Sequence, residues 1–123
     1  MNLLLDTHAL LWWVGGENLS PEAVAAIADP GTLVCVSAAS VWEISIKQAL
    51  GKLTVDGDLD TILAEDFEPV PITFDDARRA GALPDHHCDP FDRMLVAQAQ
   101  ARQLVLLSRD PSFDHYDVDV LRA

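Results

Sequence analysis

The chain has 123 residues, half of them hydrophobic, enough for one domain with a sizeable core. Its 20 acids against 8 bases give a formal charge of −12, which repels a phosphate backbone and argues against a non-specific nucleic-acid binder. No apolar run reaches the ~18 residues of a membrane span, the start MNLLLDTHALLWWV lacks the basic region and cleavage site of a signal peptide, and Cys35 and Cys88 form no disulfide pattern, so a cytoplasmic protein is expected.

Leu3-Leu4-Leu5 is a short apolar run that suits a buried strand ending at Asp6. Thr7 to Val14 reads as a short helix closed by Gly15-Gly16. Ser20-Pro21-Glu22 supplies cap, first-position proline and first-turn acid for a helix that stops at Asp29-Pro30-Gly31. Thr32 to Val36 reads as a second buried strand. Ser37 opens a helix to Leu50, with Val41, Trp42, Ser45, Ile46 and Ala49 at helical spacing and Gly51 as its stop. Asp58 to Asp66 is a short amphipathic helix, and Pro69 to Ile72 is extended. Thr73 caps a helix to about Gly81, with Asp76 three residues on. After a loop over 82–88, Pro90 to Arg102 is a strong helix, with Asp89 as N-cap. Leu104 to Leu107 is a strand, Asp110 starts a turn or short helix, and Asp117 to Leu121 alternates like an edge strand. Apolar strands separated by helices predict an α/β domain over residues 1–123, with a mostly parallel sheet and helices on both faces.

In open parallel sheets, ligands sit outside the C-terminal strand ends. Asp6 follows the first strand, Glu43 lies in the helix after the second, Asp110 stands beyond the last buried strand, and Asp92 lies in the first turn of the Pro90 helix. Each except Asp6 has an ordinary structural explanation. Asp92 suits a helix dipole, Asp110 before Pro111 is a good N-cap, and Glu43 could pair with Lys47 on a solvated face. Asp6 is harder to dismiss, because an acid set against a buried strand needs compensation. Four carboxylates converging on one pocket would need a cation, and an all-oxygen site suits Mg²⁺ or Mn²⁺ rather than zinc. Such a site can activate water against a phosphodiester. The stretch HHCDPFDRML offers His86, His87 and Cys88 as apparent zinc ligands. Three consecutive residues cannot easily face one tetrahedral ion, and no second Cys/His pair lies at zinc-site spacing.

LLLDTHALLWW, SAASVWEISIKQALGKL, LPDHHCDPFDRMLVAQA and LLSRD, in this order, resemble a PIN domain, and more narrowly the VapC toxins of toxin–antitoxin pairs. The resemblance implies a compact α/β/α fold and an endoribonuclease that uses Mg²⁺ or Mn²⁺ to hydrolyse RNA phosphodiester bonds. It carries the acidic quartet, as catalytic residues and metal ligands, onto Asp6, Glu43, Asp92 and Asp110. Asp114 could take or share the role of Asp110, and Asp89 matches a frequent family acid. Ser108 stands where the family often has Thr, and its hydroxyl can support a carboxylate. Cys88 stands where many relatives have a basic residue, leaving Lys47, Arg93 and Arg109 as candidates for a phosphate contact. The family also implies a homodimer and a cognate VapB-type antitoxin lying across the acidic groove. Leu10, Leu11, Trp12, Trp13, Val24 and Ile27 are core candidates, and a subset could form a groove or dimer surface.

Two other classes are weighed against this reading. An aspartyl-phosphate phosphatase wants a second acid two residues after its nucleophile, where His8 stands. A receiver-like binding module wants a lysine after the last buried strand, and none follows Leu107.

Overall fold

The computed structural model describes residues 1–55, 57–86 and 89–123. Its elements, in chain order, are β1 (Leu3–Leu5), α1 (Thr7–Gly15), α2 (Pro21–Ala28), β2 (Val34–Ser37), α3 (Ala38–Ala49), α4 (Leu59–Asp66), β3 (Glu68–Val70), α5 (Phe74–Ala82), α6 (Pro90–Arg102), β4 (Val105–Ser108), a 3₁₀ turn (Pro111–His115) and β5 (Val120–Arg122). The five strands form one sheet in the order β3-β2-β1-β4-β5, and every pairing is parallel. The α/β expectation therefore holds, with a wholly parallel sheet among the described residues.

Strand alternation divides the core in two. On one face Leu3, Leu5, Val34, Val36 and Leu107 pack against Leu10 of α1, Ile27 of α2, Ile44 of α3 and the apolar side of α4. On the other, Leu4, Cys35, Val70 and Leu106 pack against Leu95, Val96 and Ala99 of α6, with Phe113 and Tyr116 behind the 3₁₀ turn. The result is a three-layer α/β/α arrangement, and β1 at its centre is fully enclosed.

Local chemistry sets the element ends. Ser20, Ser37, Thr73, Asp89 and Asp110 each accept a backbone N–H from the helix or turn they precede. Gly16 closes α1 in the left-handed conformation (φ 73°) that glycine adopts without a Cβ clash. Gln103 takes the same conformation (φ 54°) and turns α6 into β4.

Strand boundaries beyond β1 shift by one to three residues from the sequence reading: β3 is Glu68–Val70 rather than Pro69 to Ile72, β4 is Val105–Ser108 rather than Leu104 to Leu107, and the starts of β2 and β5 move for visible reasons. β2 begins at Val34 because Thr32 is still in the turn, its N–H donating to the Asp29 carbonyl (3.0 Å). The last strand begins at Val120 because Val118 N–H turns back to the Tyr116 carbonyl (2.9 Å), and pairing with β4 starts only at the Asp119 carbonyl.

Candidate active site

Because the sheet is parallel, the C-terminal ends of β1, β2 and β4 lie along one edge. Asp6, Ser37 and Ser108 end those strands or directly follow them. α6 must run back against the strands, since its C-terminus turns through Gln103 and Leu104 into the start of β4. Its 13 residues span ~20 Å, longer than the strands it covers, so its first turn rises at the same edge. All four acids singled out from the sequence therefore stand on elements that open there.

Asp6 is the most enclosed of them, 5% exposed. Its Oδ1 accepts the Ala9 N–H (2.8 Å), capping α1, and its Oδ2 accepts the Ser108 hydroxyl (2.6 Å). Ser108 is itself fully buried and accepts the Asp110 N–H at the same Oγ (3.0 Å). One hydroxyl thus ties the ends of β1 and β4 together. Burial pushes the Asp6 carboxyl above its usual 3.8, against the lowering effect of the Ser108 and Ala9 hydrogen bonds and of His8, and the nearby Asp110 charge pushes it further up. Asp110 is half-buried and caps the 3₁₀ turn through the Ser112 N–H (2.9 Å). Of the two acids weighed for this position, Asp110 is the one that acts on Asp6, whereas Asp114 is exposed.

Glu43 is 7% exposed, so the solvated-face alternative does not hold. Its pair with Lys47 does form, Lys47 Nζ donating to Glu43 Oε2 at 2.9 Å. The other oxygen, Oε1, accepts the Thr7 hydroxyl (2.7 Å). Thr7 is a residue that the sequence reading missed. Its only signal was a hydroxyl directly after Asp6, and its partner lies 36 positions away. Asp92 occupies the first turn of α6, and the adjacent Phe91 packs edge-on against Trp42 of α3, beside Glu43 (ring centroids 5.2 Å apart). The chain of contacts thus runs from Asp110 through Ser108, Asp6 and Thr7 to Glu43, then across Trp42 and Phe91 to the turn that carries Asp92.

The other expectations divide. Asp89 is a cap, accepting from Phe91 N–H (2.8 Å) and Asp92 N–H (3.3 Å). Arg93 donates to the carbonyls of Ala80, Leu83 and Pro84, closing the end of α5. Arg109 donates to the Ala123 and Asn18 carbonyls and stacks on Trp12 with its guanidinium carbon 4.2 Å from the ring centroid. Of the three bases considered for a phosphate contact, Lys47 is the one bonded into the acid network. His87 and Cys88 lie outside the described residues, so the zinc reading of that stretch is not tested, while His86 packs against the rings of His115 and Tyr116.

Among the described residues no three His, Cys, Asp or Glu side chains stand close enough together to form a ready-made metal cage. The donor chemistry nonetheless fits a hard divalent cation. The candidate ligands offer carboxylate oxygen alone, and Asp6 carries a desolvated carboxyl beside the Asp110 charge, a situation that a bound cation relieves.

Two apolar grooves flank this edge. One, of about 450 Å³, is lined by Trp12, Trp13, Leu19 and Val24 between α1 and α2. The other, of about 560 Å³, is lined by Val41, Trp42, Leu63, Phe67, Pro69 and Pro71. Of the apolar candidates on α1 and α2, Leu10 and Ile27 are core, whereas Trp12, Trp13 and Val24 line the first groove.

The PIN domain family model matches residues 3–119. The chain belongs to the PIN domain family. Solved structures share the fold over almost their whole length. A VapBC2 structure from Rickettsia felis, bound to a promoter DNA fragment, superposes with a TM-score of 0.74 at 14% identity, covering 99% of this chain and 98% of that one. VapBC-5 from Mycobacterium tuberculosis, of a toxin–antitoxin family, gives 0.68 at 22% identity, with 99% and 98% covered. FitAcB from Neisseria gonorrhoeae gives 0.65 at 22% identity, with 97% and 96% covered. At these identities the likeness is one of fold. No curated protein matches the chain.

Proposed function

We propose that this PIN domain is a VapC-type toxin, a metal-dependent endoribonuclease that hydrolyses RNA phosphodiester bonds and is neutralised by a VapB-type antitoxin. The observation that carries the reading is the buried carboxylate of Asp6, held by Ser108 beside Asp110 at the open edge of a parallel sheet. Asp6 also caps α1, but a cap needs no such burial, and among the described residues no lysine or arginine pairs with the carboxylate. Its burial is kept at an energetic cost.

Asp6, Asp92, Asp110 and Glu43 would hold Mg²⁺ or Mn²⁺. When bound, such an ion supplies Lewis acidity toward the phosphate and toward the attacking water. The rest belongs to the chain's own side chains. The Ser108 hydroxyl holds one oxygen of the Asp6 carboxylate and the Ala9 N–H the other, and Thr7 and Lys47 fix Glu43 from two sides. The water-poor setting of Asp6 strengthens each of these interactions.

The VapBC neighbours favour an antitoxin partner. The −12 charge favours a partner that brings basic residues to the acidic edge, and the groove beneath Trp12, Trp13 and Val24 offers an apolar seat beside it. A cytoplasmic homodimer acting as one domain over residues 1–123 completes the reading; no helix of the described residues is long and apolar enough to cross a membrane.

The test is cleavage of single-stranded RNA by purified protein. Activity is expected with Mn²⁺ or Mg²⁺ and should disappear in EDTA. In parallel, Mn²⁺ at ~100 times its dissociation constant should stabilise the fold by about 2.7 kcal/mol, seen as a rise in melting temperature. Cleavage that survives EDTA would sink the metal-dependent mechanism.

A further inference from the structure

Lys47 stands in an unusual place for a surface base. It is bonded to a buried acid of the candidate site, yet 41% of its side chain remains exposed. Helical side chains lean toward the helix N-terminus. The N-terminus of α3 lies at the active edge, so the Lys47 stem runs back toward the acids and ends 2.9 Å from Glu43 Oε2. Glu43 in turn is steadied at Oε1 by Thr7, which adjoins Asp6. The ammonium is therefore anchored, not loose, on a side chain that stays partly in solvent beside Glu43. The alternatives are committed elsewhere: Arg93 closes α5, and Arg109 holds Ala123, Asn18 and Trp12.

We propose that Lys47 is the substrate-contacting cation of the site, with Glu43 as its anchor, and that it binds a non-bridging phosphate oxygen of the RNA strand held over Asp6 and Asp110. The proposal rests on the nuclease reading. It assigns to Glu43 a duty beyond carrying charge, which is to position the ammonium through an ion pair and a Thr7 hydrogen bond. A phosphodiester approaching a chain of charge −12 meets net repulsion. One fixed ammonium at the mouth supplies a charge-assisted hydrogen bond where that repulsion is greatest.

The experiment compares wild type with Lys47→Gln, Lys47→Met and Lys47→Arg, using a fluorescent single-stranded RNA of mixed sequence. Rates are read across a KCl series, Mn²⁺ binding by the electron spin resonance of free Mn²⁺, and folding by melting temperature. Lys47→Gln and Lys47→Met should lower kcat/KM by ~10²–10³-fold. They should also flatten the slope of log(kcat/KM) against log[KCl] by about 0.7–1, the signature of one lost phosphate contact. Mn²⁺ affinity should stay within about threefold of wild type, and Lys47→Arg should restore the slope.

A different pattern would overturn the proposal: weakened Mn²⁺ binding with an unchanged salt slope, which would make Lys47 only a prop for Glu43. Unchanged kcat/KM in an active, folded Lys47→Gln would overturn it alone and leave the nuclease reading standing. A wild-type protein that neither binds Mn²⁺ nor cleaves RNA would overturn both.

Discussion

Replacing Asp6 with asparagine is expected to abolish RNA cleavage while making the metal-free protein more resistant to heat at neutral pH. The two effects share one cause. The folded carboxyl of Asp6 titrates above its usual 3.8, chiefly because burial penalises its charge. A group whose folded pKa is raised favours the native state below the unfolded pKa, and that advantage is lost as pH rises through the folded value. At neutral pH, well above the usual carboxyl range, burial of Asp6 is thus a liability for folding. Asparagine removes the charge, can still accept the Ala9 N–H, and can donate to the Ser108 hydroxyl that now donates to Asp6. If the relief is about 1 kcal/mol, the melting temperature should rise by roughly 3–6 °C at pH 7 in EDTA. The gap should close as the pH falls below the usual carboxyl range, where Asp6 is neutral in both states. Cleavage should fall by on the order of 10³-fold or more. Melting curves across pH, set beside an RNA cleavage assay, check both halves, and a variant that is less stable at pH 7 would refute the account of Asp6.

The second large effect concerns a different acid. Removing the Arg102 guanidinium, as in Arg102→Met, should cost about 3–5 kcal/mol, because it strands the carboxylate of Asp76, which is 1% exposed. Both guanidinium nitrogens reach that carboxylate at 2.9 Å, and Gln98 and the Thr73 N–H complete its shell at 3.2 and 3.1 Å. Burial alone would push the Asp76 pKa up. The bonds from Arg102, Thr73 and Gln98 outweigh it and bring the carboxyl down to about 2. The sign is the reverse of that for Asp6. With a folded pKa below the unfolded 3.8, Asp76 contributes stability that is fully present above about pH 4 and is lost as pH falls through about 2. Denaturant melts should therefore show the wild type losing its lead over Arg102→Met between those values. A lead that does not shrink as the pH falls from about 4 to about 2 would contradict this assignment.

These two acids mark how far the sequence could be read. The short-range half of Asp76 was visible, since Thr73 and Asp76 stand at capping-box spacing and both reciprocal bonds form. Its Arg102 partner lies 26 positions away on another helix, and no local pattern announces it. The same division holds at the active edge. Asp6 and Asp110 were legible because each follows an apolar run, and a buried parallel strand forces whatever follows it to the ligand-binding edge. Glu43 was located on the right helix and with the right lysine, but periodicity could not show that α1 would cover it. Thr7 was invisible as a partner because its hydroxyl meets Glu43 only after β1 and β2 have paired. At the C-terminus the alternation was real. Val118 and Val120 pack on one core face, Leu121 and Ala123 on the other, while the strand itself starts three residues later and ends one later than the alternation implies.

The placement of the outermost strands bears on how this protein behaves when crowded. A parallel sheet ends in two rows of backbone groups that a stray strand can copy onto. On the β3 side, Pro69 has no N–H to offer and Glu68 sets a carboxylate beside it, so an incoming chain finds a gap and a repelling charge. On the β5 side, the Arg122 carbonyl is already taken by the Ser20 hydroxyl at the head of α2 (3.0 Å). Growth by strand addition is obstructed at both margins, so a sheet of five strands need not lengthen into fibres.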